Sequence, residues 1–315
     1  MKHYIYTFIF LWSFTGFAQS TQNFDKQKND DLLKDFEKTE ALKHAHYGIS
    51  IRQLSNGKEI VNVNAKHSFA PASNLKLLYT LTAVEQLGKD YRYKTTLTYS
   101  GKIVNKILFG DLIIQASGDP SFGSIRMGED YQALIEQMMS RLRNLGIQKI
   151  SGQLIMEVNG WRYPAAGSWP IEDIGNYYGT GAWGFNFNDN RLDIFLKRGS
   201  HVGEPTNVIK TEPDVSGIKY ISKVVTAAPD TDDQAYVYAA PVDTERYILG
   251  TIPAGNSPFK IKGGMPNPPL SFLKIFKQNL ADNHISIDGI QVRNALKKHK
   301  EILWQYQSKP MIELA

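Results

Sequence analysis

The sequence predicts a mixed α/β protein whose α/β framework is interrupted by a β-rich region. Three observations support this fold class: an Asn-Gly hairpin followed by an apolar helix, a series of short β-like segments between residues 93 and 265, and a helix–strand succession after them. At 315 residues, with 42% hydrophobic and 21% charged residues, the chain is long enough for two modest domains or one interrupted domain.

The start of the chain is typical of an export signal. A short basic start at residues 1–3, an apolar run at 4–12 and small residues up to Ala18 follow the order of a secretory signal. We expect cleavage after Ala18, so that residues 1–18 are a signal peptide. A membrane anchor is the alternative, but the run is shorter than the roughly 20 residues that cross a bilayer. No stable membrane span is therefore expected after cleavage.

Composition excludes several kinds of chemistry. The chain has no cysteine, which excludes disulfides, thiol nucleophiles and thiolate metal sites. Export without disulfides fits a bacterial envelope protein. Only His44 and His46 lie close together among seven histidines, and two residues apart on a helix they do not face one ligand, so no metal or other cofactor is expected. The net charge is +5, but the basic residues do not form runs with interleaved aromatic residues, which argues against a nucleic-acid partner.

The N-terminal segment contains a helix and then a hairpin. A helix is predicted from Asp31, capped by Asp30 or Asp31. Its apolar face is predicted to contain Leu32, Leu33, Phe36 and Leu42. Alternating residues at 47–54 and 59–63 flank Asn56-Gly57, which is the clearest hairpin signal in the chain.

A second helix follows the hairpin and ends at Gly88, a natural helix stop. Its inward face is predicted to contain Leu77, Leu78, Leu81 and Val84. Because this helix begins close to Ser73, its position decides how that serine is presented.

The region after this helix alternates between short strands and loops. Strands are predicted at 95–99, 107–115, 152–158, 192–196, 236–239 and 247–252. An amphipathic helix is predicted at 131–145, ended by Gly146. Prolines and glycines at 261–270 predict a boundary, in which Lys262-Gly263-Gly264 is interpreted as a turn. A helix at 270–280 and strands at 285–292 and 301–307 complete the chain.

Ser73 and Lys76 form the most informative pair. Three residues apart on a helix, a serine hydroxyl and a lysine amine share one face, which lets the lysine serve as the base for a nucleophilic serine. The same spacing occurs five times, at Ser55/Lys58, Ser73/Lys76, Ser216/Lys219, Ser257/Lys260 and Ser271/Lys274. Only Ser73 and Ser271 open a helix. From the spacing alone, an N-cap serine with a solvated lysine is the favoured interpretation of Ser73.

Several sequence landmarks, segments that follow one another in the order found in a known protein family, favour the nucleophile over the N-cap interpretation of Ser73. They are Pro71-Ala72-Ser73-Asn74-Leu75-Lys76, Gly110-Asp111-Leu112, Ser117-Gly118-Asp119-Pro120-Ser121, Ile150-Ser151-Gly152-Gln153-Leu154, Tyr178-Gly179 and Phe185-Asn186-Phe187-Asn188-Asp189-Asn190. The chain from about residue 31 to its end resembles the D-alanyl-D-alanine carboxypeptidase/endopeptidase family, serine peptidase family S13 of the penicillin-binding protein 4 type.

The resemblance implies a fold and an activity. The fold would be a serine β-lactamase/transpeptidase-like α/β domain at 19–92 and 266–315, split by a β-rich insert at 93–265. The activity would be hydrolysis of peptidoglycan stem peptides through an acyl-enzyme in the periplasm, with Ser73 as nucleophile, Lys76 as base and β-lactams as covalent inhibitors. The family has an acidic residue after its Gly-Asp-Leu strand that could read the stem peptide, and Glu157 would take that substrate-binding place.

Two family motifs have no counterpart in the expected places. Neither Ser-x-Asn nor Lys-Thr-Gly nor Lys-Ser-Gly occurs in the 315 residues. The resemblance therefore implies that the C-terminal part of the transpeptidase-like domain is missing and that the chain alone has little activity. A non-catalytic peptidoglycan-binding fragment is the alternative, and a β-lactamase is disfavoured by the long insert.

One aromatic group has two explanations. The side chains of Tyr177, Tyr178, Trp183 and Phe185 could stack on sugar rings or pack beneath a long loop, and packing is the favoured interpretation.

Overall fold

The computed structural model describes residues 26–160, 169–296 and 300–315, with side chains described from residue 31 onward. The predicted signal peptide at 1–18 lies outside the described residues. The chain divides into two compact units between Leu75 and Lys76.

Among its described residues, from 26 onward, the first unit contains one α-helix and one hairpin. Its elements are α1 (Lys26–Glu37), β1 (Ile49–Arg52) and β2 (Glu59–Val63), with 3₁₀ turns at Glu40–Leu42 and Ala72–Asn74. The hairpin prediction is confirmed: β1 and β2 pair antiparallel, and Gly57 takes a φ of 70° in the turn, which suits a residue without Cβ.

The predicted start of the first helix is wrong. Helix α1 begins at Lys26, so Asp30 and Asp31 lie inside it and do not cap it. Leu42 lies in the separate 3₁₀ turn and so does not continue the helical face. The apolar spacing resembled one helix because a turn of 3₁₀ helix continues nearly the same periodicity.

The second unit contains the remaining helices and strands. Its helices are α2 (Leu75–Leu87), which starts at the boundary, α3 (Tyr131–Asn144), α4 (Ile171–Ile174), α5 (Pro268–Asp282) and α6 (Met311–Leu314). Its strands are β3 (Lys94–Tyr99), β4 (Lys102–Val104), β5 (Ile107–Phe109), β6 (Leu112–Gln115), β7 (Lys149–Val158), β8 (Arg191–Lys197), β9 (Asn207–Glu212), β10 (Lys219–Ser222), β11 (Val225–Ala227), β12 (Tyr236–Tyr238), β13 (Glu245–Leu249), β14 (Thr251–Pro253), β15 (Phe259–Gly264), β16 (Ser286–Asn294) and β17 (Glu301–Gln307). All six predicted strand runs at 95–252 contain observed strands.

A seven-stranded mixed sheet is the main element of this unit. Six strands lie in the order β17-β3-β6-β7-β5-β4, and β16 pairs with β7 in parallel. Strand β17 pairs antiparallel with β3. Strand pairing thus joins residues 286–307 to the sheet of the region predicted as an insert. The assignment of 266–315 to a transpeptidase-like segment stays a prediction, and any such division has to accommodate this shared sheet.

Helix α2 is the largest departure from the predicted packing. Its end is as predicted, since Gly88 takes a φ of 89° and its N–H donates to the Val84 carbonyl. Its predicted inward face is wrong, because Leu77, Leu78 and Leu81 are 60–67% exposed. Helical spacing identifies which side chains share a face, but only a packed neighbour can bury that face.

The boundary predicted at 261–270 contains a strand and a helix start. Lys262-Gly263-Gly264 ends strand β15 and is not the predicted turn. Gly264 donates to the Gly175 carbonyl, and a Cβ on Gly264 would lie 3.2 Å from the Asn176 carbonyl oxygen. The glycine is therefore explained by close approach of a neighbouring backbone, a cause that composition alone does not distinguish from a turn.

An aromatic cluster lies at the centre of the core. Phe272 of α5 is fully buried and packs against Phe122, Phe185, Phe187 and Phe276, with ring centroids 5.0–6.2 Å apart. Phe185 is therefore packed, as the favoured interpretation predicted. Tyr177 and Tyr178 are 37% and 46% exposed, so that interpretation is wrong for these two side chains.

Candidate active site

Ser73 lies in the 3₁₀ turn Ala72–Asn74 at the end of the first unit, with its side chain exposed. The residue before it, Ala72, takes a φ of 44°, a left-handed conformation that is uncommon for a residue with a side chain. Strained backbone of this kind clusters at active sites, where it aims a neighbouring group. The turn is held by a hydrogen bond of 2.9 Å from the Asn74 N–H to the Pro71 carbonyl.

Lys76 is the second residue of helix α2, at the start of the second unit, and it is exposed. Its carbonyl accepts a hydrogen bond of 3.0 Å from the Thr80 hydroxyl one turn later. Ser73 therefore lies in a 3₁₀ turn before helix α2 and not in the helix itself, and the shared face predicted for its hydroxyl and the Lys76 amine stays a prediction.

In the competing Ser271/Lys274 pair, both side chains form hydrogen bonds with backbone carbonyls. Ser271 is buried and its hydroxyl donates to the Pro266 carbonyl, at the start of α5. Lys274 reaches the Ser216 carbonyl at 2.8 Å. A buried serine bonded to backbone is a poor nucleophile, so the structure favours Ser73 over Ser271.

The remaining pairs are also accounted for. Ser257 accepts a hydrogen bond of 2.7 Å from Arg198, and Lys219 pairs with Glu245 at 2.8 Å. Ser55 lies in the hairpin turn. Of the five serine–lysine pairs, Ser73 and Lys76 are those presented at a helix start with an exposed hydroxyl.

Two landmarks of the sequence meet in the structure. Asp119 accepts hydrogen bonds from the N–H and hydroxyl of Ser121, which closes the Gly-Asp-Pro turn. The side-chain amide of Asn186 donates to the Asp119 carbonyl at 3.2 Å, and Asn190 donates to Asn186 at 2.8 Å. The Gly-Asp-Pro turn and the Asn-Phe-Asn-x-Asn segment are therefore one hydrogen-bonded structure, which explains why both patterns occur together.

A second pair of landmarks also meets. Asp111 accepts a hydrogen bond of 3.0 Å from the Gln153 N–H, and a Cβ on Gly152 would lie 2.3 Å from the Gly110 carbonyl oxygen. The Gly-Asp-Leu segment leads into strand β6, and the Gly-x-Leu segment lies within strand β7, where Leu154 pairs with Leu112. The observed contacts of these landmarks hold the two strands together.

Glu157 lies at the end of β7 and is completely buried. Its Oε1 is 2.9 Å from a guanidinium nitrogen of Arg293, and its Oε2 contacts the Lys300 ammonium and lies 3.3 Å from the Gln115 amide nitrogen. Arg293 and Gln115 are its register partners on the two flanking strands, β16 and β6. Both carboxylate oxygens thus have protein partners, while the predicted substrate-binding role stays a prediction.

The charges around Glu157 control its ionisation. Burial by itself raises the pKa of this carboxyl, but hydrogen bonds and charge from Lys300 and Arg293 outweigh burial and hold the pKa below its usual value. Sequence reasoning missed both cations, because one lies 136 and the other 143 residues away in the chain.

A family model settles the relationship of this chain to known proteins. The D-Ala-D-Ala carboxypeptidase 3 (S13) family matches residues 28–315. The chain belongs to this family. The resemblance found in the sequence landmarks is thereby confirmed.

Curated relatives agree with the family. The chain is 23% identical to the D-alanyl-D-alanine carboxypeptidase DacB of Haemophilus influenzae over 274 residues, covering 86% of this chain and 55% of that protein. It is 22% identical to the D-alanyl-D-alanine carboxypeptidase of an Actinomadura species, covering 82% of this chain and 47% of that protein. The chain spans about half the length of these relatives.

Solved structures confirm the fold. Penicillin-binding protein 4 of Haemophilus influenzae aligns with a TM-score of 0.68 at 20% identity, covering 85% of this chain and 57% of that one. The same protein complexed with a β-lactam aligns with a TM-score of 0.65 at 21% identity, covering 86% and 56%. The mixed α/β, transpeptidase-like fold with a β-rich insert is therefore shared with this structure.

Two further properties concern only the described residues. Among residues 26–160, 169–296 and 300–315, no three His, Asp or Glu side chains are grouped to hold a metal ion. None of the helices in these ranges has the length and apolar character needed to cross a membrane.

Proposed function

We propose that the protein acts as a serine-type D-Ala-D-Ala carboxypeptidase or endopeptidase on peptidoglycan stem peptides in the periplasm, with Ser73 as nucleophile and Lys76 as base. The observation that carries this proposal is the presentation of Ser73: an exposed serine after a strained Ala72, three residues before a helical lysine, in a chain of the S13 family. The relatives with carboxypeptidase activity in their names support the substrate class.

The chemistry follows from these two groups. The Ser73 hydroxyl would attack the carbonyl carbon between two D-alanines while Lys76 takes its proton. The C–N bond would break, the terminal D-alanine would leave with that proton, and water would then hydrolyse the ester to regenerate the serine. A β-lactam would acylate the same hydroxyl through its ring carbonyl.

The complete reaction needs groups that the 315 residues do not contain in the family pattern. A lysine accepts a proton only when neutral, whereas a free lysine titrates near pH 10.4. Burial or a second nearby cation favours the neutral form, and the lysine of the Lys-Thr-Gly motif would be such a cation. Neither Ser-x-Asn nor Lys-Thr-Gly occurs, and Lys262-Gly263-Gly264 is part of strand β15. We therefore propose that these 315 residues alone are a weak catalyst.

Labelling with a fluorescent penicillin tests the nucleophile. After long incubation, we expect slow covalent labelling of the protein that is lost in Ser73→Ala. The matched control is Ser216→Ala, which removes an exposed serine of another Ser-x-x-Lys pair, and it should label as the parent does. Labelling that persists in Ser73→Ala would contradict the role of Ser73 as nucleophile. No labelling at a saturating concentration would favour a non-catalytic peptidoglycan-binding protein.

Release of D-alanine tests the proposed weakness. We expect the 315-residue chain to release D-alanine from a muropeptide at least about 10²-fold more slowly than the Haemophilus influenzae carboxypeptidase under the same conditions, because loss of one oxyanion donor alone costs about 10²–10³ in rate. Equal rates would show that the chain needs no further catalytic groups.

A further inference from the structure

A cleft in the second unit is lined by exposed tyrosines and lysines. The cleft has a volume of about 340 Å³ and is lined mainly by Tyr177, Tyr178, Tyr236, Asp233, Lys260 and Lys262. We call it the tyrosine cleft. Its size lies at the small end of ligand pockets, about 300–1,000 Å³, which suits a short portion of a polymer.

The walls of the cleft are tied to one another. Asn176 forms a bridge with Gly263 of β15, and its Oδ1 accepts a hydrogen bond of 3.0 Å from the Val237 N–H of β12. Gly175 approaches Val237 so closely that a Cβ would lie 2.0 Å from the Val237 carbonyl oxygen. The cleft is therefore held open by backbone contacts in the free protein, which lowers the cost of binding.

Aromatic surface is available inside it. Tyr177, Tyr178 and Tyr236 are 37%, 46% and 40% exposed, although aromatic rings on a packed domain are mostly covered. The rings of Tyr177 and Tyr178 meet at 82° with centroids 5.3 Å apart and form a corner. The Tyr178 hydroxyl donates to Asp173 at 3.0 Å, and burial together with this carboxylate raises the pKa of Tyr178 to about 12. The Tyr178 hydroxyl therefore stays protonated, and its hydrogen bond to Asp173 orients the ring.

The two lysines of the cleft differ in whether they already have a carboxylate partner. Lys260 pairs with Asp193 at 3.2 Å. Lys262 lies over the Tyr177 ring, 5.3 Å from its centroid, and forms no ion pair with any residue in the described part of the chain. The Asp233 carboxylate accepts the Ala235 N–H at 2.9 Å and can accept further hydrogen bonds. The cleft therefore combines a lysine without a carboxylate partner, Lys262, with aromatic surface and a hydrogen-bond acceptor, Asp233.

This combination defines the chemistry of a ligand. The apolar face of a sugar ring can stack on a tyrosine corner, its hydroxyls can donate to Asp233, and a carboxylate on the sugar can pair with Lys262. We propose that the tyrosine cleft binds a glycan that contains a carboxylated sugar, at a site lined only by residues of the second unit. Trp183, which the sequence grouped with these tyrosines, is 3% exposed and does not line the cleft.

Calorimetric titration of the intact protein tests this site. The probe is the disaccharide of N-acetylglucosamine and N-acetylmuramic acid without stem peptide, compared with di-N-acetylchitobiose, which lacks the carboxylate. We expect the acidic disaccharide to bind about fivefold more tightly, as loss of one exposed ion pair allows. Lys262→Gln should remove this difference, and Tyr177→Ala should weaken binding of the acidic disaccharide about tenfold.

Matched controls separate the cleft from general effects. Lys223→Gln removes one exposed lysine, and Tyr247→Ala removes a tyrosine that is 44% exposed on neighbouring β13; both should bind as the parent does. Thermal unfolding of each variant checks that the fold is retained. Failure of the acidic disaccharide to bind, equal losses in the controls, or binding of a free stem peptide in its place would overturn the proposal. Ser73→Ala should leave the affinity unchanged, so this result does not depend on the outcome of the penicillin experiment.

Discussion

Replacement of Glu157 by glutamine is expected to lower the free energy of unfolding by about 3–5 kcal/mol, because it leaves buried cations without their counter-charge. Glu157 is fully buried, and the side chains of Lys300 and Arg293 are only 5% and 21% exposed. Urea unfolding followed by circular dichroism measures the change. The control is Glu136→Gln, which removes an ion pair with Arg143 whose side chains are 65% and 42% exposed. It should cost about 1 kcal/mol or less.

The ion pairs of Glu157 with Arg293 and Lys300 also predict that the stability of the protein depends on pH. The pKa of Glu157 is lowered in the folded protein relative to its usual value of 4.5, so its stabilising contribution is present above that value and is lost as the pH falls through the folded pKa. The difference in unfolding free energy between the parent and Glu157→Gln should therefore narrow below about pH 4.5. A difference that stays constant down to pH 3, or a cost equal to that of Glu136→Gln, would show that the carboxylate is not the partner of these cations.

Replacement of Phe272 by alanine should destabilise the second unit by about 3–5 kcal/mol, the cost of emptying a large aromatic site in a core. Phe272 is the common neighbour of four other phenylalanines from three segments of the chain. Its ring therefore joins helix α5 to the turn at Phe122 and to the loop at Phe185–Phe187. The measurement is the midpoint of urea unfolding at constant slope.

Two companion variants make this result specific. Phe272→Leu keeps most of the apolar volume and should cost clearly less than alanine. Phe109→Ala removes a ring that is 55% exposed on β5, and its cost should be within about 0.5 kcal/mol of zero. Equal costs for Phe272→Ala and Phe109→Ala would mean that the aromatic cluster does not stabilise the fold.

Local patterns predicted much of the fold. The Asn56-Gly57 hairpin, the amphipathic helix α3 and the stop at Gly88 were predicted from turn signals, apolar spacing and helix-stop chemistry within a few residues. The helix–strand succession near the end of the chain was also predicted, although α5 extends beyond 270–280 at both ends. Its earlier start is explained by the Asn267 cap and the two prolines in its first turn.

Predictions that required a packing partner were less successful. The spacing of Leu77, Leu78 and Leu81 identified one helical face, yet these side chains are exposed. Lys262-Gly263-Gly264 was interpreted as a turn, yet it ends a strand whose glycines accommodate another backbone. For the glycines, the deciding contact is the approach of Gly264 to Gly175 and Asn176, which lie far away in the sequence.

The candidate site divides in the same way. Ser73 and Lys76 were identified from the sequence, because both the spacing and the landmarks around them are local patterns. The strained conformation of Ala72 and the burial of the competing Ser271 are properties of the structure, and they distinguish these two serines. The tyrosine cleft could be anticipated only in Tyr177 and Tyr178, because Tyr236 and Lys262 come from strands that are distant in the chain.

The sequence by itself determined the family, the serine–lysine pair and most local elements, because each depends on residues within a turn or two of one another. The tertiary structure alone decided which charges neutralise Glu157, which serine is exposed and where a cleft opens. Those outcomes depend on side chains that are distant in the chain and meet only in the folded protein. Hydrophobic burial, which brings them together, depends on apolar area and not on sequence distance.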